Sequence, residues 1–157
     1  MKDADISRLI SLPKKVKNAK ARTVEQRGSE RLNYEAYGEN GEEFRIYIRQ
    51  NRRIPDGYSC GLLYLPAGRE PVTLARYNGS DHEHTNPLES SLPIRFVCHI
   101  HRATERYIEA GRKADHFAET TTRYSDLKGA IAALIADCNV SGLGDNPPAP
   151  DPQLPLL

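Results

Sequence analysis

The run from Arg31 to Gln50, RLNYEAYGENGEEFRIYIRQ, constrains the fold more than any other stretch of the chain. Two β-rich segments flank Gly38-Glu39-Asn40-Gly41, a turn composition with Asn-Gly at its end, so the chain reverses there as a β-hairpin. In the second segment Phe44, Ile46 and Ile48 alternate with Arg45, Tyr47 and Arg49. Side chains of a strand point alternately to its two faces, which gives this strand an apolar face for a core and a second face that is cationic and aromatic. That second face is either a solvated sheet surface or a floor that binds phosphates. Alternation alone does not separate the two.

Three further strand-like runs follow, each bounded by turn residues. Pro55-Asp56-Gly57 precedes YSCGLLYLP, PVTLARYNG ends at Asn78-Gly79, and IRFVCHIH follows Pro93. Short connections favour antiparallel pairing, because parallel neighbours need a crossover of about a dozen residues or more. Ile6, Leu9 and Ile10 sit at helical spacing ahead of Pro13, which stops the pattern. ATERYIEAGRK forms a short helix with Gly111 as its C-cap, and Ser125 is the expected N-cap of a helix over DLKGAIAALIADC, with an apolar stripe of Leu127, Ile131, Leu134, Ile135 and Cys138. The expected architecture is α+β, with about five antiparallel strands, a short N-terminal helix and a C-terminal helix packed on one face. Residues 1–30 read as a short helix and basic connector, 31–140 as a single domain, and 141–157 as an extended or disordered tail rich in Pro and Gly.

Charge and cysteine usage narrow the function classes. Lys plus Arg (22) nearly balances Asp plus Glu (21), so bulk charge announces neither a nucleic acid nor a membrane. Local asymmetry exists: Lys14, Lys15, Lys17, Lys20, Arg22 and Arg27 face a single acid, Glu25, and form either a solvated basic face or a phosphate-binding arm. Cys60, Cys98 and Cys138 include no C-x-x-C pair, which argues against a disulfide framework or a cysteine zinc knuckle and fits a reducing cytosol. No apolar run approaches the ~20 residues a membrane helix requires, and MKDADISRLI carries acids and no apolar run of signal-peptide length. A cytoplasmic protein with no membrane partner is expected.

Chemistry concentrates between Arg76 and His101, RYNGSDHEHTNPLESSLPIRFVCHIH. Four of the five histidines, His82, His84, His99 and His101, fall there, and His116 follows closely. In IRFVCHIH alternation turns His99 and His101 to one face and Cys98 and Ile100 to the other, so both imidazoles can address one ligand while Ile100 joins the core. Three readings of the cluster stand open. The histidines can tie the long connection to the sheet, they can form a His-ligated zinc site, or they can serve as general base and general acid for phosphodiester cleavage, with Arg76 offering donors to phosphate oxygens and Tyr77 orienting the substrate or stacking on a base. Arg45 and Arg49 are the candidate phosphate-binding residues away from the cluster.

RYNGSDHEH followed by FVCHIH resembles the strand, histidine loop and His-x-His strand of the TumE-type toxins of bacterial toxin–antitoxin modules, and also uncharacterised bacterial families with an RYNG, paired histidines and H-I-H. The resemblance covers roughly residues 58 to 140. It implies a toxin-like ribonuclease that acts on RNA and is held by a cognate antitoxin protein; with the acid–base reading of the cluster, this becomes metal-independent cleavage without a cofactor, with His82, His84, His99, His101 and Arg76 as the expected catalytic residues. The alternatives are a non-catalytic protein- or nucleic-acid-binding module of phage or mobile-element origin, and a His-ligated zinc-binding domain.

Overall fold

The structure is a computed structural model and describes residues 1–18 and 23–143. Helix α1 (Asp3–Ser11) buries Ile6, Leu9 and Ile10 along one stripe, and Asp5 in its first turn accepts from the Lys2 N–H at 3.1 Å. The chain leaves the helix at Leu12 in an extended conformation, ahead of Pro13. Strands β1 (Lys14–Val16) and β2 (Val24–Gln26) lead into β3 (Ser29–Gly38), β4 (Glu43–Asn51), β5 (Tyr58–Tyr64) and β6 (Val72–Asn78). After β6 come two short strands, β7 (Glu83–His84) and β8 (Ile94–Arg95), then β9 (His99–Arg102), helix α2 (Glu105–Glu109), β10 (Ala118–Thr120), helix α3 (Leu127–Cys138) and β11 (Val140–Ser141).

Among the described residues nine strands form one sheet in the order β10-β9-β6-β5-β4-β3-β1-β11, with β2 also paired to β3, while β7 and β8 pair apart as a two-stranded ribbon. The β1–β11 pairing is parallel, so the sheet is mixed. A five-stranded antiparallel sheet is therefore the wrong description. The additional strands are two or three residues long and too short to display a period. In β1 one of the two residues that point inward is a lysine, Lys14, which hides the alternation. Lys14–Val16 and Val24–Gln26, on either side of residues 19–22, are accordingly strands of the same sheet: β2 pairs with the start of β3 and β1 with its end. Lys20 and Arg22, and residues 144–157 of the Pro/Gly-rich tail, lie outside the described residues. The stretch before them ends in structure, with Val140 and Leu143 buried in the core.

Alternation assigns the two faces of this sheet. Leu32, Ile48, Cys60, Tyr77 and Ile100 are successive cross-strand partners on one face, which packs against α1 and α3 through Ile6, Leu9, Leu127, Ile131 and Leu134. Burying such side chains stabilises the fold by roughly 1.5–3 kcal/mol each. Helix α3 is capped by Asp126, one residue later than Ser125, because the Asp126 carboxylate accepts from the Gly129 N–H at 2.8 Å. Asn139, left-handed at φ 54°, ends it. Beside it the buried Lys14 ammonium donates to the carbonyls of Ile10 (2.7 Å), Leu12 (2.8 Å) and Cys138 (2.8 Å), joining the ends of α1 and α3. Helix C-termini carry unpaired carbonyls and partial negative charge, which is what an inward ammonium satisfies there. Lys14 therefore belongs to the core and not to a phosphate-binding arm.

Candidate functional site

The opposite face carries Arg31, Arg49, Ser59, Asn78 and His99 as one row of cross-strand partners, and Asn33, Tyr47, Gly61, Arg76 and His101 as the next. His99 and His101 thus share a face with Arg76, while Ile100 turns to the helices beside Tyr77. The strand expected to run unbroken over IRFVCHIH is interrupted. Phe96 takes a left-handed conformation (φ 51°), so Ile94–Arg95 pairs with Glu83–His84 and only His99 onward joins the main sheet. This break folds the loop after β6 back over β9. Phe96 is 61% exposed, whereas an unbroken strand would have turned it to the same face as Cys98 and Ile100.

All five imidazoles meet beneath that loop. Ring centres are 4.8 Å apart for His82 and His99, 5.8 Å for His84 and His99, 4.6 Å for His84 and His101, 5.1 Å for His99 and His101, and 5.3 Å for His84 and His116. Asn86 fixes the loop by a reciprocal pair with Ala118 of β10, donating from Nδ2 to its carbonyl at 2.7 Å and accepting its N–H at 3.0 Å. Tyr107 of α2 stacks on His116 and bonds Glu89 from the other side.

The hydrogen bonds select the state of each ring. His99 Nδ1–H donates to the Val97 carbonyl at 2.9 Å and His101 Nδ1–H to the Asp115 carbonyl at 2.8 Å, which leaves both Nε2 lone pairs facing the cluster. His84 donates from Nε2 to Asn86 Oδ1 at 2.9 Å, and the half-buried His82 donates from Nδ1 to Asp81 Oδ1 at 2.7 Å. Asn78 Nδ2 lies 3.4 Å from His99 Nε2 and 3.5 Å from His82 Nε2 and bridges them. His99 and His101, on the shared face that alternation predicts, are buried rather than on the surface, at 0% and 2% exposed. Burial lowers the pKa of His84 and His99, and burial followed by the Arg76 guanidinium holds His101 down to about 2. At neutral pH these three rings are uncharged.

Three polar atoms of the cluster are buried and unpartnered: Arg76 Nε, Asn78 Oδ1 and His101 Nε2. Arg76 Nε approaches Asp115 Oδ2 at 3.3 Å, close enough for an ion pair, but the N–H is not directed at the oxygen. Buried polar groups are ordinarily satisfied, so a concentration of orphans in one place points to a site for a bound molecule. Among the described residues no group of three His, Cys, Asp or Glu side chains gathers its donor atoms as a ready metal centre.

The family comparison identifies the fold's lineage without an activity. A model for a family of unknown function, DUF6978, matches residues 1–140. The chain belongs to DUF6978. That match spans every strand and helix that builds the cluster. No curated protein and no solved structure matches the chain. No helix among the described residues is long and apolar enough to cross a membrane.

The remaining candidates scatter. Arg49 lies on the polar face and donates to the hydroxyls of Ser59 (3.4 Å) and Ser29 (3.2 Å), whereas Arg45 sits two positions beyond Tyr47, between Glu35 and Leu63. Tyr77 points away from the cluster. Its hydroxyl donates to Asp137 of α3 at 2.7 Å, and Arg123 grips the same carboxylate with two bonds of 2.8 Å, beside a cavity of about 630 Å³ between α1, α3 and β9. As a residue for the histidine site Tyr77 is therefore misplaced, by the same alternation that placed Arg76 correctly. Sequence reasoning missed Asp81, Asn78, Asn86 and Asp115. Asp81 carried a signal, an acid beside a histidine, and Asn78 was absorbed into an Asn-Gly turn. Asp115 had none, because it reaches the site through tertiary folding alone.

Proposed function

We propose that the protein is a small toxin-like ribonuclease that cleaves RNA by proton transfer between imidazoles, without a metal. The observation that carries this reading is the contrast between the two loop histidines. His82 is half exposed and oriented through Nδ1 by the Asp81 carboxylate at 2.7 Å, while His84 is kept neutral by burial with its Nε2–H spent on Asn86. One is suited to give a proton and the other to take one. In the proposed reaction His84 Nδ1 takes the proton of the 2′-hydroxyl, O2′ bonds to phosphorus, the bond from phosphorus to O5′ breaks, and His82, entering the step with a second proton on Nε2 in place of the Asn78 contact, passes that proton to O5′. Arg76, whose Nε–H is unspent, neutralises the phosphate oxygens. His99 and His101 act through Asn78 and Arg76 as positioning residues.

The purified chain, incubated with RNA in the presence of a chelator, is expected to cleave it to products ending in a cyclic phosphate. His82→Asn and His84→Ala are each expected to lower turnover by about 10²–10⁴-fold. Cleavage abolished by the chelator overturns the metal-free chemistry in favour of a histidine-bound metal. Absence of cleavage from a folded preparation overturns the enzyme reading, leaving the binding module.

A further inference from the structure

Beyond the histidine cluster the polar face of the sheet continues uncovered by any helix, and its residues are ordered and cationic. Arg31 stacks its guanidinium over the Tyr47 ring at 4.6 Å and bonds Asn33 Oδ1 at 3.3 Å. Tyr47 lies flat across Gly61, where a Cβ would fall 2.5 Å from its ring. Glycine there is required by close approach and not by backbone conformation. Arg49 is held by hydroxyls alone, and among the described residues none of Arg31, Arg45 and Arg49 has a carboxylate partner within ion-pair distance. These guanidiniums are fixed in place by neutral groups, so their charge is left for something outside the fold. The row Arg31, Arg49, Ser59, Asn78, His99 crosses four strand spacings, about 19 Å at ~4.8 Å each.

We infer that this face is a track for the backbone of a single RNA strand, running from the histidine cluster across β5 and β4 to Arg31 on β3. The inference rests on the proposed ribonuclease reading for the identity of the nucleic acid and supplies what that reading lacks, a path for the substrate outside the cleaved bond. A single strand suits the geometry better than a duplex, because a sheet face bearing guanidinium planes, with Arg31 laid over the buried Tyr47 ring, accepts unstacked bases and an extended backbone. Roughly three to four nucleotides span the row. Arg76 meets the phosphate at the cluster, and Arg49 and Arg31 meet phosphates farther along.

The test uses the full chain carrying His82→Asn, to suppress cleavage, and dye-labelled single-stranded RNA from about two to about eight nucleotides. Affinity measured by fluorescence anisotropy is expected to rise with length to about four nucleotides and then level off. Arg31→Gln and Arg49→Gln are each expected to weaken binding of the longest RNA about tenfold and to lower its salt dependence by about one released ion. Arg69→Gln, in the turn between β5 and β6, removes equal charge off the track and is expected to change nothing. Arg31 is tied only to Tyr47 and Asn33, so its variant keeps the fold even if that of Arg49 does not. Equal losses for all three variants, affinity that ignores length, or no RNA binding overturns the track. Cleavage by the parent chain with unaltered binding by Arg31→Gln and Arg49→Gln refutes the track and leaves the ribonuclease standing. Track-dependent binding by a chain that never cleaves does the reverse.

Discussion

The two faces of the sheet are built from the same strands and obey opposite rules. The helix-covered face is apolar, its chain from Tyr77 to Asp137 to Arg123 is hydrogen-bonded, and Tyr34 Oη is its one unpartnered buried side-chain atom among the described residues. The histidine face is also buried where the loop covers it, but it is polar, and three of the four unpartnered buried side-chain atoms among the described residues lie there. The first face gains stability from burial. The second loses some of it to unsatisfied groups, which persist because the surrounding structure over-determines them. Strand alternation keeps these demands apart residue by residue: within RYN, Arg76 and Asn78 serve the cluster and Tyr77 serves the core.

This division predicts a double dissociation. His82→Asn, in the loop, is expected to lower turnover by about 10²–10⁴-fold while the chain melts as the parent does. Leu62→Ala, a fully buried residue on the helix face, is expected to cost roughly 2–5 kcal/mol by denaturant titration and leave turnover per folded molecule unchanged. If His82→Asn destabilises as much as Leu62→Ala, the histidines are structural ties and the comparison collapses. The buried ring belongs between these extremes. His101→Ala is expected to cost about 1–3 kcal/mol, because the Asp115 carbonyl loses its donor inside the fold.

Much of this was legible in the sequence, and the gaps have physical causes. The hairpin around Gly38 to Gly41, the Pro13 stop, the helix after Asp126 and the common face of His99 and His101 follow from period and turn chemistry, which are local. What was not legible depends on tertiary closure. Strands of two or three residues carry no period, Lys14 faces inward only because two helix ends converge on it, and His99 and His101 are buried only because a loop from elsewhere lies over them. Phe96 broke the fifth strand through its backbone, whereas its type argued for continuation. The face of Tyr77 was readable by counting from Arg76, so that error came from treating a motif as one unit where alternation divides it.

Acid separates the faces without any mutation. His84, His99 and His101 all have folded-state pKa values below that of the unfolded chain, chiefly through burial. Below ~6.5 the unfolded chain binds protons that the folded one refuses, so stability is full above that pH and falls as pH drops toward the folded values, by up to about 1.4 kcal/mol per pH unit for each ring. Denaturant midpoints are expected to decline from pH ~6.5 downward. His101→Gln, which removes the ring with the lowest value, is expected to flatten that decline. A variant as acid-sensitive as the parent shows that His101 is not what titrates.

The smallest effect concerns the residue that makes the histidine face possible. Phe96 is held left-handed at φ 51° with its ring largely in solvent, and its N–H reaches the His82 carbonyl at 3.3 Å. A side chain in that conformation costs about 1–2 kcal/mol, which glycine avoids, although glycine gives back roughly 0.5–1 kcal/mol by loosening the unfolded chain. Phe96→Gly is therefore expected to leave stability unchanged or raise it by up to ~1 kcal/mol. Phe96→Ala keeps the strain and removes the ring, so it is expected to gain nothing. A clear loss from Phe96→Gly means the ring packs against the loop and contributes to the fold. No loss from glycine, with weaker RNA binding by both variants, assigns the exposed ring to contact with substrate beside the loop histidines, and the backbone strain at Phe96 is then what holds that ring outward while folding His82 back over His99.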